Sequence, residues 1–96
     1  MKGEVAKAAR GAGPVAAIEI GSTGIRLLIA SIDAAGGIKV IDRAGKPSRI
    51  GRDVFTQGNI GREAIRESIA VLSSFRELLQ GYGIAPEDAM VIATSA

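Results

Sequence analysis

Residues 15–32 read VAAIEIGSTGIRLLIASI, and this segment decides the fold. Two apolar runs, residues 15–20 and 25–32, stand on either side of the tetrapeptide GSTG at residues 21–24. Each run is shorter than an ordinary helix and is bounded by a glycine turn, which favours strands over helices. The second run is apolar enough to be buried on both faces of a sheet. The segment therefore predicts two strands joined by a tight turn.

Outward from this segment, the pattern predicts two more strands and one helix. Residues 38–43 (IKVIDR) predict a third strand, antiparallel to the second, and residues 89–93 predict a fourth. Between them we expect an irregular connection over residues 44–59, with one short turn near residues 54–57. A helix follows because apolar side chains recur at helical spacing, and these form its expected core: Ile65, Ile69, Leu72, Phe75 and Leu79.

The ends of this helix are marked by glycines. Gly61 fits the N-cap, and Gly81 fits the left-handed position just past the C-terminal end. The predicted order is strand, strand, strand, helix, strand, which is typical of an α/β fold.

The composition excludes several classes of protein. Of the 96 residues, 47% are hydrophobic and 23% are charged, as in one small folded domain. The absence of Cys and His removes disulfides, thiolate chemistry, zinc sites of the Cys/His type and imidazole catalysis. No apolar run approaches the ~18 residues of a membrane span. Residues 1–14 lack the long apolar core of a secretory signal.

The formal charge of +2 belongs to residues 1–10, which hold three basic side chains and one acidic side chain. Residues 11–96 hold nine of each sign, so the body of the chain is neutral. With no Trp and three other aromatic residues, the chain lacks the stacking surfaces of nucleic-acid-binding proteins. We therefore expect residues 1–14 to be a flexible tail, and we expect neither a nucleic acid nor a membrane as partner.

The chemistry is concentrated in residues 18–26, IEIGSTGIR. A carboxylate near the end of a buried strand, as at Glu19, is costly unless it is paired or binds a cation such as Mg²⁺. The backbone N–H groups of a Gly-rich turn can form an anion-binding nest, to which the hydroxyls of Ser22 and Thr23 add donors. Arg26 stands where a guanidinium can pair with a phosphate. The same residues also fit a plain β-hairpin with Glu19 on a solvated face, so both interpretations stay open.

Two further pairs of side chains are candidates for contact with a polyanion. Arg49 and Arg52 lie close together in the connection, where they either line a path for the polyanion or are solvated. Thr94 and Ser95 follow the fourth strand, at the end where open α/β sheets place their ligands.

Four segments of the chain resemble, in the same order, the N-terminal part of the exopolyphosphatase/guanosine pentaphosphatase family, which belongs to the actin-like ATPase superfamily. The segments are AAIEIGSTGIRLLIA, IDRAGKPSRIGRDVFTQGNI, GREAIRESIAVLSSFRELLQGYGI and MVIATSA. The first resembles the family's phosphate loop, usually Asp-hydrophobic-Gly-Ser-Asn-Ser, and the last resembles its Ala-Thr-Ser-Ala signature. The resemblance implies that residues 15–96 are the N-terminal portion of an actin-like ATPase (ribonuclease H-like) domain, truncated after the fourth strand.

The resemblance also implies a role for each residue of the loop. Glu19 stands at the family's metal-linked aspartate, with Mg²⁺ as the cofactor. The implied phosphate-binding residues are Gly21, Ser22, Thr23, Gly24 and Arg26. The chain departs from the family pattern at three of these positions, with Glu19 in place of Asp, Thr23 in place of Asn and Gly24 in place of Ser.

By the same resemblance, the chain is expected to be part of a cytoplasmic hydrolase that releases terminal phosphate from inorganic polyphosphate or guanosine pentaphosphate. The family's catalytic glutamate and its second, Gly-rich phosphate loop follow the segment that residues 93–96 match, so we expect no catalytic residue within this chain. We expect a fragment that is inactive alone and needs the rest of its domain or a partner chain. Two alternatives stay open: a non-catalytic remnant that binds a partner, and a relative of the actin-like ATPases or sugar kinases.

Overall fold

A four-stranded sheet carries the fold of residues 13–94, the part of the chain that the computed structural model describes. The strands are β1 (Val15–Ile20), β2 (Gly24–Ile32), β3 (Ile38–Pro47) and β4 (Met90–Ala93), in the spatial order β3-β2-β1-β4. β2 pairs antiparallel with both β1 and β3, whereas β4 pairs parallel with β1. The expected α/β class and the antiparallel pairing of the first three strands are confirmed.

Two helices connect β3 to β4. The first, α1 (Ile50–Gln57), follows β3 directly, and the second, α2 (Arg62–Gly81), is the long helix that the sequence predicts. A 3₁₀ turn at Pro86–Asp88 then leads into β4. A parallel strand pair needs such a crossover, because the chain must return to the same end of the sheet before the next strand begins.

The core lies between α2 and one face of the sheet. Side chains alternate between the two faces of a strand, so every second residue of β1 and β2 points toward the helix. The core cluster consists of Ala16, Ile18, Ile25, Leu27, Ile29, Phe75, Leu79 and Ile84. Glu19 and Arg26 alternate with these residues and therefore lie on the opposite face of the sheet.

The expectation of an irregular connection over residues 44–59 is wrong for residues 44–47, which belong to β3, and for residues 50–57, which form α1. β3 continues to Pro47, because its pairing with β2 extends past a bulge at Ile29/Ala30 as far as Gly24. The following residues form α1 rather than a single turn. Ile50 is buried there at 9% exposure, and its N–H donates to the Ser48 hydroxyl at 3.1 Å, which satisfies one free donor at the start of the helix.

The expected core of α2 is confirmed for Phe75 and Leu79 and is wrong for Ile65 and Ile69. Phe75 and Leu79 are 1% and 2% exposed, whereas Ile65 and Ile69 are 47% and 58% exposed. The apolar side chains of α2 span a wider arc than the sheet covers, so the flank that carries these two isoleucines stays open among residues 13–94.

The caps of α2 agree with the prediction at one end. Gly61 is the N-cap, as expected. The left-handed residue is Gly83, with φ at +72°, and not Gly81, which is the last residue of the helix itself. The helix therefore runs one residue further than its glycine suggests, and the chain turns after Tyr82.

The predicted flexible tail falls mostly on residues 1–12, which lie outside the described part of the chain, as do residues 95–96. Gly13 and Pro14 are exposed and precede β1 without regular structure. Within residues 13–94, neither helix has the length and apolarity that a membrane crossing requires.

Candidate functional site

The loop that joins β1 to β2 consists of residues 21–24, the last of which is also the first residue of β2, and it closes as a tight hairpin turn. The N–H of Gly21 donates to the carbonyl of Gly24 at 2.9 Å. The backbone N–H groups of Ser22 and Thr23, at the tip, have no acceptor within residues 13–94. Two adjacent unbonded N–H groups at the tip of a turn are the donors that an anion-binding nest requires. The predicted nest therefore has the backbone donors it needs.

The N-terminal end of α1 packs directly against this loop. The N–H of Gly51 donates to the Ser22 carbonyl at 2.8 Å, and the N–H of Ser48 donates to the Thr23 carbonyl at 3.0 Å. A Cβ on residue 51 would lie 2.7 Å from the carbonyl oxygen of Ser22, so this approach requires glycine. The partial positive charge of the helix N-terminus thus lies beside the loop, where it favours an anion.

The C-terminal ends of β1 and β4 meet at the other side of the loop. The N–H of Thr94 donates to the Ile20 carbonyl at 2.9 Å, which places Thr94 next to Gly21. The Thr94 hydroxyl lies 3.3 Å from the position that a Cβ on Gly21 would occupy. Ligands of open α/β sheets bind at this end of the strands. Thr94 therefore lies where the sequence places a phosphate contact, whereas Ser95 is outside the described residues.

Loop and helix together enclose a shallow cavity of about 390 Å³. We call it the loop cavity, and its lining residues are Ser22, Thr23, Ser48, Gly51, Arg52, Val54 and Phe55. The Arg52 side chain is 62% exposed and approaches Asp53 only at 3.9 Å, so its guanidinium is largely free to meet a ligand. The described lining holds one cation and no carboxylate, which suits a polyanionic ligand.

Glu19 and Arg26 lie opposite each other on neighbouring strands, on the sheet face that α2 leaves open. Arg26 Nη1 is 3.7 Å from Glu19 Oε1, and the Glu19 side chain is 33% exposed. They line a separate depression of about 490 Å³, together with Arg43 and Gly45. The structure therefore brings the predicted metal ligand and the predicted phosphate arginine to each other and not into the loop cavity.

The two arginines of the connection have different surroundings. Arg49 pairs with Glu67 of α2 through both nitrogens of its fork, with Nε at 3.3 Å from Oε2. A second link joins the same helices, because the N–H of Gly61 donates to the Asp53 carboxylate at 2.9 Å. Arg49 and Asp53 thus hold α1 against α2. Of the two arginines, Arg52 lines the loop cavity and Arg49 does not.

A magnesium ion at this site would take most of its coordinating oxygens from bound phosphates and water. Among residues 13–94 no three acidic, His or Cys side chains come together as a metal site. Glu19 is a single carboxylate already paired with a guanidinium. Mg²⁺ commonly binds through one or two carboxylates, water and substrate phosphates. The donor set of residues 13–94 therefore fits a phosphate-bound ion and does not fit a metal held by these residues alone.

Ser48, Gly51 and Phe55 line the loop cavity, and the sequence analysis missed all three. A signal for α1 exists in the sequence: Ser48, a residue type common at the start of helices, precedes Ile50 and Val54, which are four residues apart. The position of the helix relative to the loop has no such signal, since it depends on hydrogen bonds between segments about 30 residues apart in the chain.

Comparison with known proteins finds solved structures of the Ppx/GppA family that resemble this chain. No protein-family model and no curated protein matches the chain. A solved Ppx/GppA family member from Aquifex aeolicus aligns with 84% of the chain at 30% identity, with a TM-score of 0.75. A second structure, of the Aquifex aeolicus PPX-GPPA enzyme, aligns with 88% of it at 32% identity and a TM-score of 0.75. The chain matches the N-terminal part of Ppx/GppA structures.

The match is to a portion of these proteins. The chain spans 26% and 27% of the two Aquifex chains, or about a quarter of their length. An exopolyphosphatase from Cytophaga hutchinsonii shares the fold over 83% of this chain, with 24% identity, a TM-score of 0.68 and 24% of its own length covered. The Ppx/GppA resemblance expected from the four sequence segments is thereby confirmed, as is the N-terminal part of the actin-like ATPase fold.

Proposed function

We propose that this chain supplies the first phosphate-binding loop of a phosphatase that releases the terminal phosphate of inorganic polyphosphate or guanosine pentaphosphate. The observation that carries the proposal is the pair of unbonded N–H groups at Ser22 and Thr23, held between the N-terminus of α1 and the end of β4. The similar structures include a Ppx/GppA phosphatase and an exopolyphosphatase, which supports the same reaction class.

Each group around the loop has a part in holding the ligand. The N–H groups of Ser22 and Thr23 donate to the oxygens of one phosphate. The Thr94 hydroxyl, which donates to the Ile20 carbonyl at 3.5 Å, turns to the phosphate from the β4 side. Arg52 neutralises charge from the α1 side, because its exposed guanidinium lines the same cavity. The fixed donors and the helix N-terminus together stabilise negative charge without reorganising when the ligand arrives.

We propose that a magnesium ion binds together with the phosphates. We propose Glu19 as its one carboxylate ligand. Because Glu19 lines the separate depression and not the loop cavity, this requires the carboxylate to leave Arg26 and the bound phosphates to extend beyond the loop cavity. When bound, the ion would neutralise charge on the phosphate oxygens. Glutamate is one methylene longer than the aspartate usual at this position, and its side chain, which is one-third exposed, has room for the shift.

We further propose that the described part of the chain binds phosphate without hydrolysing it. Hydrolysis needs a side chain that orients or deprotonates the attacking water, most often His, Asp or Glu. The chain has no His, and the described lining of the loop cavity contains no carboxylate. The nearest acid on α1, Asp53, accepts a hydrogen bond from Gly61 instead. The hydrolytic group must therefore come from elsewhere.

Titration of the 96-residue chain with inorganic tripolyphosphate, followed by amide NMR, tests the binding. We expect saturable shifts at Ser22, Thr23 and Thr94, with matched NaCl as the ionic-strength control. Thr94→Val should weaken binding, whereas Ser74→Ala should not, because the Ser74 hydroxyl donates to the Val71 carbonyl on α2. Shifts confined to the face that carries Glu19 and Arg26 would contradict the assignment of the loop.

Phosphate release tests the absence of hydrolysis. The purified chain should release no phosphate from tripolyphosphate, guanosine pentaphosphate or ATP with Mg²⁺ present. Release that disappears in Glu19→Ala would overturn this part of the proposal. Release from ATP alone would instead favour an ATPase relative.

A further inference from the structure

Phe55 is the most exposed large apolar side chain among residues 13–94, at 91%. A single exposed apolar residue is ordinary on a protein surface. This one, however, lines the loop cavity, one residue from Val54 and on the same helix as Arg52. Its ring therefore stands at the wall of a cavity whose other wall is the candidate phosphate loop.

The two walls of the loop cavity differ in chemistry. On one side are the N–H donors and hydroxyls of Ser22 and Thr23, and on the other are the flat ring of Phe55 and the guanidinium of Arg52. At about 390 Å³ the cavity falls in the range of small-molecule sites, which is about 300–1,000 Å³. A ligand that uses both walls has phosphates at one end and a planar group at the other.

We propose that Phe55 is a specificity-determining residue that stacks on the base of a nucleotide whose phosphates occupy the loop. This rests on the proposed phosphate loop and narrows its substrate class to nucleoside polyphosphates, because an inorganic polyphosphate has no ring for Phe55 to contact. Every base offers a face to an aromatic side chain, and Arg52 beside the ring adds a cation that serves both base and phosphate.

The 96-residue chain offers a direct probe because it contains no Trp. Phe55→Trp introduces a single indole at the cavity wall, whose fluorescence reports stacking. Ile69→Trp is the matched control, since Ile69 is also helical and 58% exposed but lies on α2, away from the cavity. GTP and inorganic tripolyphosphate are the two ligands, since both carry a triphosphate chain and only one carries a base.

We expect GTP to quench the fluorescence of Phe55→Trp saturably and to leave Ile69→Trp unchanged beyond absorption effects. In the chain without an introduced Trp, Phe55→Leu should lower the affinity for GTP about five- to a hundredfold and leave the affinity for tripolyphosphate unchanged. Circular dichroism confirms that each variant is folded, which the exposure of residue 55 leads us to expect.

Each other outcome decides against the stacking role of Phe55, the phosphate loop or both. Equal affinities for GTP and tripolyphosphate, both unaffected by Phe55→Leu, would overturn the stacking role and leave the phosphate loop standing. Binding of neither ligand would overturn both. Fluorescence of Phe55→Trp that shifts to the blue with protein concentration, and not with GTP, would assign the ring to a protein contact instead.

Discussion

Gly51→Ala tests how closely α1 must approach the loop. The added Cβ would lie 2.7 Å from both the Cβ and the carbonyl oxygen of Ser22. Since one of these atoms is backbone, the helix has to move away, and the 2.8 Å hydrogen bond from the residue 51 N–H to Ser22 is lost or stretched. The variant therefore displaces the element that supports the loop without touching a ligand-binding side chain.

The expected magnitude follows from three contributions. Overpacking of this kind costs about 1–3 kcal/mol, and the lost hydrogen bond costs about 1 kcal/mol. Alanine favours the helix over glycine by about 1 kcal/mol. The net destabilisation is then about 1–3 kcal/mol, which lowers the Tm of a domain of this size by about 5–20 °C.

Thermal and urea denaturation followed by circular dichroism measure this difference, with Gly81→Ala as the control. Gly81 is also helical, but nothing lies within 4 Å of a Cβ added there, so that variant should gain up to about 1 kcal/mol. Amide NMR of Gly51→Ala should in addition show shifts at Ser22 and Thr23. A Gly51→Ala chain as stable as the parent, with unchanged loop signals, would refute the close packing of α1 on the loop.

Three further predictions concern the elements around the loop. Arg49→Ala should lower the free energy of unfolding by about 0.3–1 kcal/mol, since the side chains of Arg49 and Glu67 are 39% and 44% exposed. The coupling energy between the two residues in a double-mutant cycle should decrease at high salt. Phe75→Ala should cost about 3–5 kcal/mol in urea denaturation and Ile69→Ala less than about 1 kcal/mol, and equal losses would contradict the exposure of Ile69. Tyr82→Phe should lower the Tm near neutral pH, because the Tyr82 hydroxyl donates to Asp42 at 2.8 Å. That bond, followed by burial and the charge of Asp42, raises the pKa of Tyr82 above its ordinary value of 10.0. The bond therefore contributes its full stabilisation below about pH 10. The difference in Tm between the parent and Tyr82→Phe should vanish as the pH rises through the raised pKa.

The hairpin was predictable from sequence because its determinants are local. Two short apolar runs around a four-residue turn leave one register, in which Ile20 faces Ile25 and Glu19 faces Arg26. The pairing of that carboxylate with that guanidinium follows from the same register, since cross-strand neighbours share a face. The ligand roles expected for Glu19 and Arg26 took no account of this contact, although the hairpin pattern predicts it.

Features that depend on distant segments were not predictable. The spacing of Ile65 and Ile69 shows an apolar flank on α2 but carries no information on how much of the helix the sheet covers. The place of α1 against the loop depends on a hydrogen bond between residues 51 and 22. The exposure of Phe55 has the same origin, because it follows from the orientation of α1 and not from the composition of the helix.

The pairing of β1 with β4 makes the loop depend on the two ends of the described chain. Thr94 bonds to Ile20 across a separation of 74 residues, and β4 has only four residues at the edge of the described sheet. Bringing Ile20 and Thr94 together costs conformational entropy of the chain between them. The few hydrogen bonds of the four-residue strand β4 offset this cost only narrowly. Local opening of β4 should therefore remove one side of the phosphate site before the rest of the fold is lost. A bound phosphate would in turn hold β4 closed, so amide exchange at Thr94 reports occupancy of the loop from the far end of the sequence.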